Sequence, residues 1–406
     1  MRLRIKEICD YVSRGTTPDY VDEGANKVMN QATFSKGWLD ESNIRYTSKA
    51  NKGARIMKGD LLMASTGGGV LGKVFFFDDD DSFYADSHVT IMRNSKGANL
   101  MKYLYYYFYL RYDEINATMV KGSTNQTELQ RNYLLSYELD VPTLADQQRM
   151  VTYLATKLSE IDHQVSLLTS KRDAYLRLKK SIINHAVTRG LDPNVKMKDS
   201  GIEWIGEVPE HWEVKRMKDI CALSPNIKSC SEYEYGSYLP MEGLRLDQIE
   251  TSDELVSTLQ GKYTPFEDND LLVAKVTPCF ENGNIAIAKG LTNGVGFGSS
   301  EIFVLRANKY NNIRFLFYMS LSSKFQDKAC ATMCGVGGLK RISPLFMKTY
   351  IMAIPPSTEQ RAIATYLDDK CAKIDTIVSN LDKQISRYAD LKRSLIDEVI
   401  TGKRAV

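Results

Sequence analysis

"TYLATKLSEID" at 152–162 returns as "TYLDDKCAKID" at 365–375. A shift of 213 positions aligns 141–190 with 354–403 without a gap, and 17 of the 50 paired residues are identical. Average residue usage gives about three such identities, so the match is a duplication. Each copy opens on proline, then an acid followed by Gln: "VPTLADQQR" at 141–149 and "IPPSTEQRA" at 354–362. The proline blocks helix propagation upstream, and the acid suits a first helical turn.

In the first copy Leu154, Leu158, Ile161, Val165, Leu168, Tyr175, Ile182 and Ala186 fall on alternating four- and three-residue steps, interrupted by Arg172 and Lys179. In the second copy Leu367, Cys371, Ile374, Val378, Leu381, Ile385, Tyr388, Leu395 and Val399 do the same, with Lys392 at the matching break. Such a seam needs a partner helix. Each rod spans about 40 residues, on the order of 60 Å at helical rise, longer than a typical globular helix. The competing arrangement packs each helix on its own domain. Both seams are apolar at equivalent positions and broken by the same lysine, so the sequence predicts that the rods pack on each other, antiparallel, relating the two halves by an approximate two-fold axis.

The repetition reaches further. "RIKEIC" at 4–9 matches "RMKDIC" at 216–221, "GDLLMAS" at 59–65 matches "NDLLVAK" at 269–275, and "ATM" occurs at 117–119 and 331–333. The predicted order is a globular segment at 1–140, a helix at 141–190, a linker at 191–211, a second globular segment at 212–353 and a second helix at 354–406. Each globular segment mixes short strands ("DLLMAS", "KVFFF", "HVTIMR"; "DLLVAKV", "NIAIAKG", "EIFVLR") with one helix, "LMKYLYYYFYLRYDEI" or "NIRFLFYMSLSSKFQDK". The fold class expected is α+β.

Composition bounds the rest. The chain has 406 residues, 43% hydrophobic and 25% charged, which suits a globular protein of two or more domains. No run of about 18 uncharged apolar residues occurs, and "MRLRIKEICDYVSRG" lacks the unbroken apolar stretch of a signal peptide. Cys9, Cys221, Cys230, Cys279, Cys330, Cys334 and Cys371 are odd in number and never form a CxxC pair, which argues against a disulfide framework or a zinc ribbon and for the cytoplasm. A net charge of +3 leaves any claim of nucleic-acid binding to local arrangement.

Several catalytic readings fail on their surroundings. "GGGVLGKV" at 67–74 has the GxxxxGK spacing of a phosphate loop, but Val74 stands where a hydroxyl must hold magnesium, and "VFFFDDDD" reads as strand and turn. His88, His163, His185 and His211 have no second ligand at metal spacing, and no GxSxG elbow is present. The aromatic run "YLYYYFYL" has only apolar bulk in common with its counterpart, so core packing explains it better than base stacking. The four aspartates at 78–81 read as a solvated turn. Loops rich in Lys, Arg, Asn, Gln and Gly remain: "SKANKGARIMK", "KGSTNQTELQR", "AKVTPCFENGN" and "GVGGLKRIS". Lys and Arg neutralise phosphates, Asn and Gln pair with adenine, and Gly lets backbone approach closely.

"WIGEVPEHWEVKRMKDIC" at 204–221, "VPTLADQQR", "IPPSTEQRA" and the tail "LKRSLIDEVITGK" at 391–403 together resemble the specificity (S) subunit of Type I restriction-modification enzymes. The first half departs from that pattern by starting directly at "MRLRIKEIC". The resemblance implies a non-catalytic DNA reader with two pseudo-symmetric target recognition domains separated by two long helices packed as an antiparallel coiled coil. It implies double-stranded DNA, two modification (adenine methyltransferase) subunits and restriction (motor-nuclease) subunits as partners, with S-adenosylmethionine, ATP and Mg on those partners and no cofactor on this chain. Unlike readers on one scaffold imply a bipartite, non-palindromic target. Candidate DNA contacts are Ser65, Thr66, Gly67, Gly68, Lys73, Lys121, Ser123, Asn125 and Gln126 for one half-site, and Lys275, Thr277, Asn282, Asn284, Lys340 and Arg341 for the other. The rival class is a coiled-coil assembly scaffold without DNA recognition of its own.

Overall fold

The computed structural model describes residues 1–406 except 122–126, 228–231 and 337. The chain divides into two compact units, Met1–Leu168 with Lys383–Val406, and Thr169–Asp382. Two long helices, Leu144–Arg189 and Ser357–Ile400, run through this division, so each unit holds part of both. No helix among the described residues is long and apolar enough to cross a membrane.

In the first unit the strands Tyr11–Arg14, Val89–Arg93, Leu61–Ala64 and Val74–Phe76 form an antiparallel sheet in that order. Strand side chains alternate between faces. Leu61, Met63 and Met92 therefore join the core beneath the helices, while Leu62, Ala64, Val89 and Ile91 join a second core on the other face. A sheet covered on both sides needs a continuous apolar run, which "LLMA" supplies. A second sheet lies in the order Tyr20–Val21, Arg45–Thr47, Asn26–Met29, Phe83–Ala85, Arg55–Ile56, with Asn26–Met29 parallel to Phe83–Ala85.

The second unit repeats this topology with one strand fewer in its second sheet. Cys221–Leu223, Ile302–Ala307, Leu271–Ala274 and Ile285–Ile287 form the first sheet, and Ser252–Leu255, Tyr235–Leu239, Val295–Gly298 and Thr264–Glu267 the second, with Tyr235–Leu239 parallel to Val295–Gly298. The chain is α+β. One expectation needs correction: each "single" helix of the globular segments is two. Ala98–Leu110 is followed by Tyr112–Thr118, and Ile313–Ser320 by Ser323–Ala331. Arg111 leaves helical geometry (φ −102°, ψ 23°) with its guanidinium 3.6 Å from the Tyr107 ring centroid. In the second half Ser322 turns extended, and its side chain accepts a hydrogen bond from Phe325 N, capping a new helix.

The long helices start alike. Gln147 and Gln360 each donate Nε2 to a proline carbonyl five residues back, Pro142 O and Pro355 O, both at 2.9 Å. In the first unit the buried Leu154, Leu158 and Ile161, with half-buried Val165, share one core with Leu395, Ile396 and Val399 and with half-buried Tyr388. Lys392 Nζ reaches across to Asp162 at 2.8 and 2.9 Å. In the second unit Ile183, Ala186 and Val187, with half-buried Ile182, share a core with Leu367 and Cys371. There Lys179 Nζ bonds Asp375 at 2.6 and 2.7 Å. In both units the early part of one helix meets the late part of the other, so the packing is antiparallel. Ile374 and Leu381 are buried, whereas Leu168, Tyr175, Val378 and Ile385 are half-buried. The lysines that interrupt the seams are thus cross-helix partners of an aspartate, and the second pair is the first with the helices exchanged.

Candidate nucleic-acid interface

Each unit builds its site from the same turn. Gly59 (φ +93°) and Asn269 (φ +72°) occupy left-handed backbone, which glycine adopts freely and asparagine tolerates. The next residue, Asp60 or Asp270, is buried and accepts two bonds from an arginine fork. Arg93 Nε and Nη2 lie 2.6 Å from the Asp60 oxygens, and Arg306 Nε and Nη2 lie 2.7 Å from those of Asp270. The same carboxylates also cap the backbone N–H of Met57 and Glu267 at 2.7 and 2.8 Å. This anchors the strands Leu61–Ala64 and Leu271–Ala274, whose ends carry the candidate residues.

At those ends the backbone is stitched identically. Ser65 N donates to His88 O and Lys275 N to Glu301 O, each at 2.8 Å, while Ser65 O and Lys275 O accept from Leu129 N and Ile342 N at 2.9 Å. A two-stranded hairpin is thereby held beside each strand end: Val120–Lys121 with Glu128–Leu129, and Cys334–Val336 with Leu339–Arg341. Thr66 bridges Glu128, and Val276 bridges Arg341.

In the first unit this brings Thr66, Gly67, Gly68 and the exposed Lys121 to one edge. The Thr66 hydroxyl lies 2.7 Å from His88 Nδ1 and 3.4 Å from Gln31 Oε1. Gly67 (φ +89°) donates its N–H to Thr127 O at 3.2 Å. A Cβ there would also sit 3.1 Å from Gln31 Nε2. Ser65 is enclosed: its hydroxyl is 2.6 Å from Thr90 Oγ1, and it has no surface to offer a ligand. Lys73 lines a groove of about 310 Å³ with Lys36, Tyr105, Tyr109 and Arg393, whose walls hold none of the other candidates. Ser123, Asn125 and Gln126 lie outside the described residues.

In the second unit Lys275, Thr277, Lys340 and Arg341 converge. Thr277 Oγ1 donates to Gly338 O at 2.8 Å and accepts from Lys340 N at 3.0 Å, locking hairpin to turn. Lys275 Nζ donates to Ser300 O at 2.6 Å over the Phe303 ring, and burial lowers its pKa against the pull of Glu301. Asn282 is exposed, whereas Asn284 is buried, its carbonyl accepting from Ala274 N at 3.1 Å. Ser65, Thr277 and Asn284 therefore shape the turn rather than face outward. Lys340 and Arg341 are exposed, and Arg341 is paired with Glu301. Sequence reasoning missed Gln31, His88, Glu128 and Glu301. No local motif marks them as a set: Gln31 opens the short helix Gln31–Phe34, while backbone pairing brings His88, Glu128 and Glu301 to the strand ends.

The remaining acidic run is neutralised locally: Asp81 pairs with Lys27 and Asp80 with Lys58 at 2.6 and 2.9 Å. Among the described residues no group of three His, Cys, Asp or Glu side chains is placed to hold a metal ion.

The family profile described as "Type I restriction modification DNA specificity domain" matches residues 1–167 and 209–387, one match for each half. The chain belongs to this family. Specificity-family relatives include the Type I restriction enzyme EcoEI specificity subunit of Escherichia coli, 29% identical over 199 residues, which is 48% of this chain. That match spans 33% of the relative's own length. The MjaVIII specificity subunit of Methanocaldococcus jannaschii is 21% identical over 327 residues, covering 77% of this chain and 73% of the relative. A chain from the solved structure described as "Structural basis underlying complex assembly and conformational transition of the type I R-M system" superposes with a TM-score of 0.70 over 98% of this chain and 97% of its own length. At 13% identity that likeness shows the fold.

Proposed function

We propose that this chain is the non-catalytic DNA-reading subunit of a Type I restriction-modification complex, and that it recognises a bipartite, non-palindromic duplex target. The observation that carries this reading is the duplicated turn and hairpin, a common backbone framework that presents Thr66, Gly67, Gly68 and Lys121 in one half and Lys340 and Arg341 in the other. A two-fold-related protein reads a palindrome; unlike side chains on matched frameworks read two different half-sites. The paired helices set the gap between them and recruit two modification subunits, one per duplicated surface. Leu178 and Leu391 support this second role, because they are identical residues at matched positions of the two helices and both are exposed. Restriction subunits complete the assembly, and S-adenosylmethionine, ATP and Mg act on those partners.

The test is a gel shift with random and target duplexes, with and without the modification subunits, followed by methylation mapping. The expected result is tight, sequence-selective binding in the complex and a methylated site of two unlike parts. Alanine at Lys340 and Arg341 is expected to disturb one half-site only. A chain that assembles with partners while adding no sequence preference is a scaffold, and the proposal fails.

A further inference from the structure

We propose that the junction of strand end, following turn and hairpin is the slot in which each reader chooses a base, and that the second reader fills it with Arg341, a guanine-reading fork positioned by Glu301. This rests on the DNA-reading function proposed above. The backbone bonds make the slots comparable residue by residue. Ser65 N to His88 O and Lys275 N to Glu301 O equate His88 with Glu301, and the bridges Thr66 to Glu128 and Val276 to Arg341 equate the remaining pairs. All three positions differ in chemistry: Thr, His and Glu in one slot, Val, Glu and Arg in the other.

In the first slot the Thr66 hydroxyl ties His88 Nδ1 to the Gln31 amide, while Glu128 turns to Arg14 at 3.7 Å. In the second slot Val276 is buried and offers no polar group, so the chemistry passes to the pair above it. Arg341 Nε lies 3.1 and 3.0 Å from the two Glu301 oxygens, and Nη2 lies 2.9 Å from one of them. The carboxylate thus covers the side edge of the guanidinium. Its end edge, Nη1 with the outer Nη2 proton, has no partner among the described residues, and the side chain is 53% exposed. Two parallel N–H groups on that edge match the O6 and N7 acceptors of guanine in a major groove. Holding the fork in advance removes part of the ordering cost of binding. Lys340 beside it has no ion-pair partner among the described residues and takes the phosphate.

The experiment selects bound sequences from randomised duplexes with the full chain assembled with its modification subunits. Glu301→Gln and Arg341→Lys are expected to lower the preference for guanine at one position at least about tenfold. The rest of the target stays, and for Arg341→Lys so does the salt dependence of binding, since that substitution keeps the charge. Thr66→Val combined with His88→Ala is expected to relax the other half-site. Variants at 301 and 341 that retain the full wild-type profile overturn the proposal, as does an effect in the half-site that the Thr66 and His88 variants alter. A wild-type complex that selects no sequence overturns the DNA-reading function itself. Arg341→Lys lies on an exposed hairpin, so the slot is tested even where Glu301→Gln unfolds the chain.

Discussion

Asp60 and Asp270 are buried carboxylates held by an arginine fork and by a backbone N–H in the turn that precedes the strands Leu61–Ala64 and Leu271–Ala274. Removing one partner of such a pair strands the other. Asp60→Ala, which leaves Arg93 only 17% exposed and without its carboxylate, is expected to cost about 3–5 kcal/mol in chemical denaturation. Asp86 behaves oppositely. Burial raises its carboxyl above the usual value, against the opposing pull of the His88 backbone and ring, the Tyr20 hydroxyl and Arg14. The folded chain therefore holds that proton more tightly than the unfolded chain does. The stabilisation is full below the unfolded value of about 3.9 and is lost as pH rises through the raised native one. Asp86→Asn keeps an acceptor for the His88 N–H and is expected to flatten this decline, read as unfolding free energy against pH. Neither role is visible in sequence: "GDLLMAS" announces a strand, but the arginine that meets Asp60 lies 33 residues away.

The paired helices were the most legible element, because a seam of large apolar residues repeated over many turns leaves few ways to be buried. Leu154→Ala and its mate Leu367→Ala remove side chains with no exposed surface, and each is expected to cost about 2–5 kcal/mol. Lys179→Ala and Lys392→Ala break pairs whose aspartates are more than half exposed, and are expected to cost under about 1 kcal/mol each by thermal melting. The strands of the first sheet in each half were equally readable, being buried on both faces. The second sheets were not. Strands such as Tyr20–Val21 and Arg55–Ile56 are two residues long, and Val295–Gly298 alternates with glycine. Their parallel pairings, Asn26–Met29 with Phe83–Ala85 and Tyr235–Leu239 with Val295–Gly298, join distant segments without a local signal. The split of the aromatic helices was missed for a related reason: the Arg111 stack and the Ser322 cap act on single residues inside runs that otherwise favour helix.

At the scale of the molecule the site was only partly legible. Residue types favoured Lys340 and Arg341, but the Glu301 carboxylate that pairs with Arg341 comes from another strand's approach, and Ser65, Thr277 and Asn284 are enclosed. Assembly with the proposed modification subunits is tested at the exposed Leu178 and Leu391. Leu178→Glu together with Leu391→Glu replaces two exposed side chains, so stability is expected to change by less than about 0.5 kcal/mol, while co-purification of modification subunits is lost. The division of the long helices between units carries one more consequence. A fragment ending at Gly190 keeps Leu154, Leu158 and Ile161 but lacks Lys383–Val406, which cover them. Its own residues 169–190 are the duplicate of 382–403, with Ile182 for Leu395 and Lys179 for Lys392. Two such fragments can complete each other, at the expense of becoming dependent on concentration. The 406-residue chain is in this sense a dimer fused into one polypeptide, whose closing contacts dilution cannot undo.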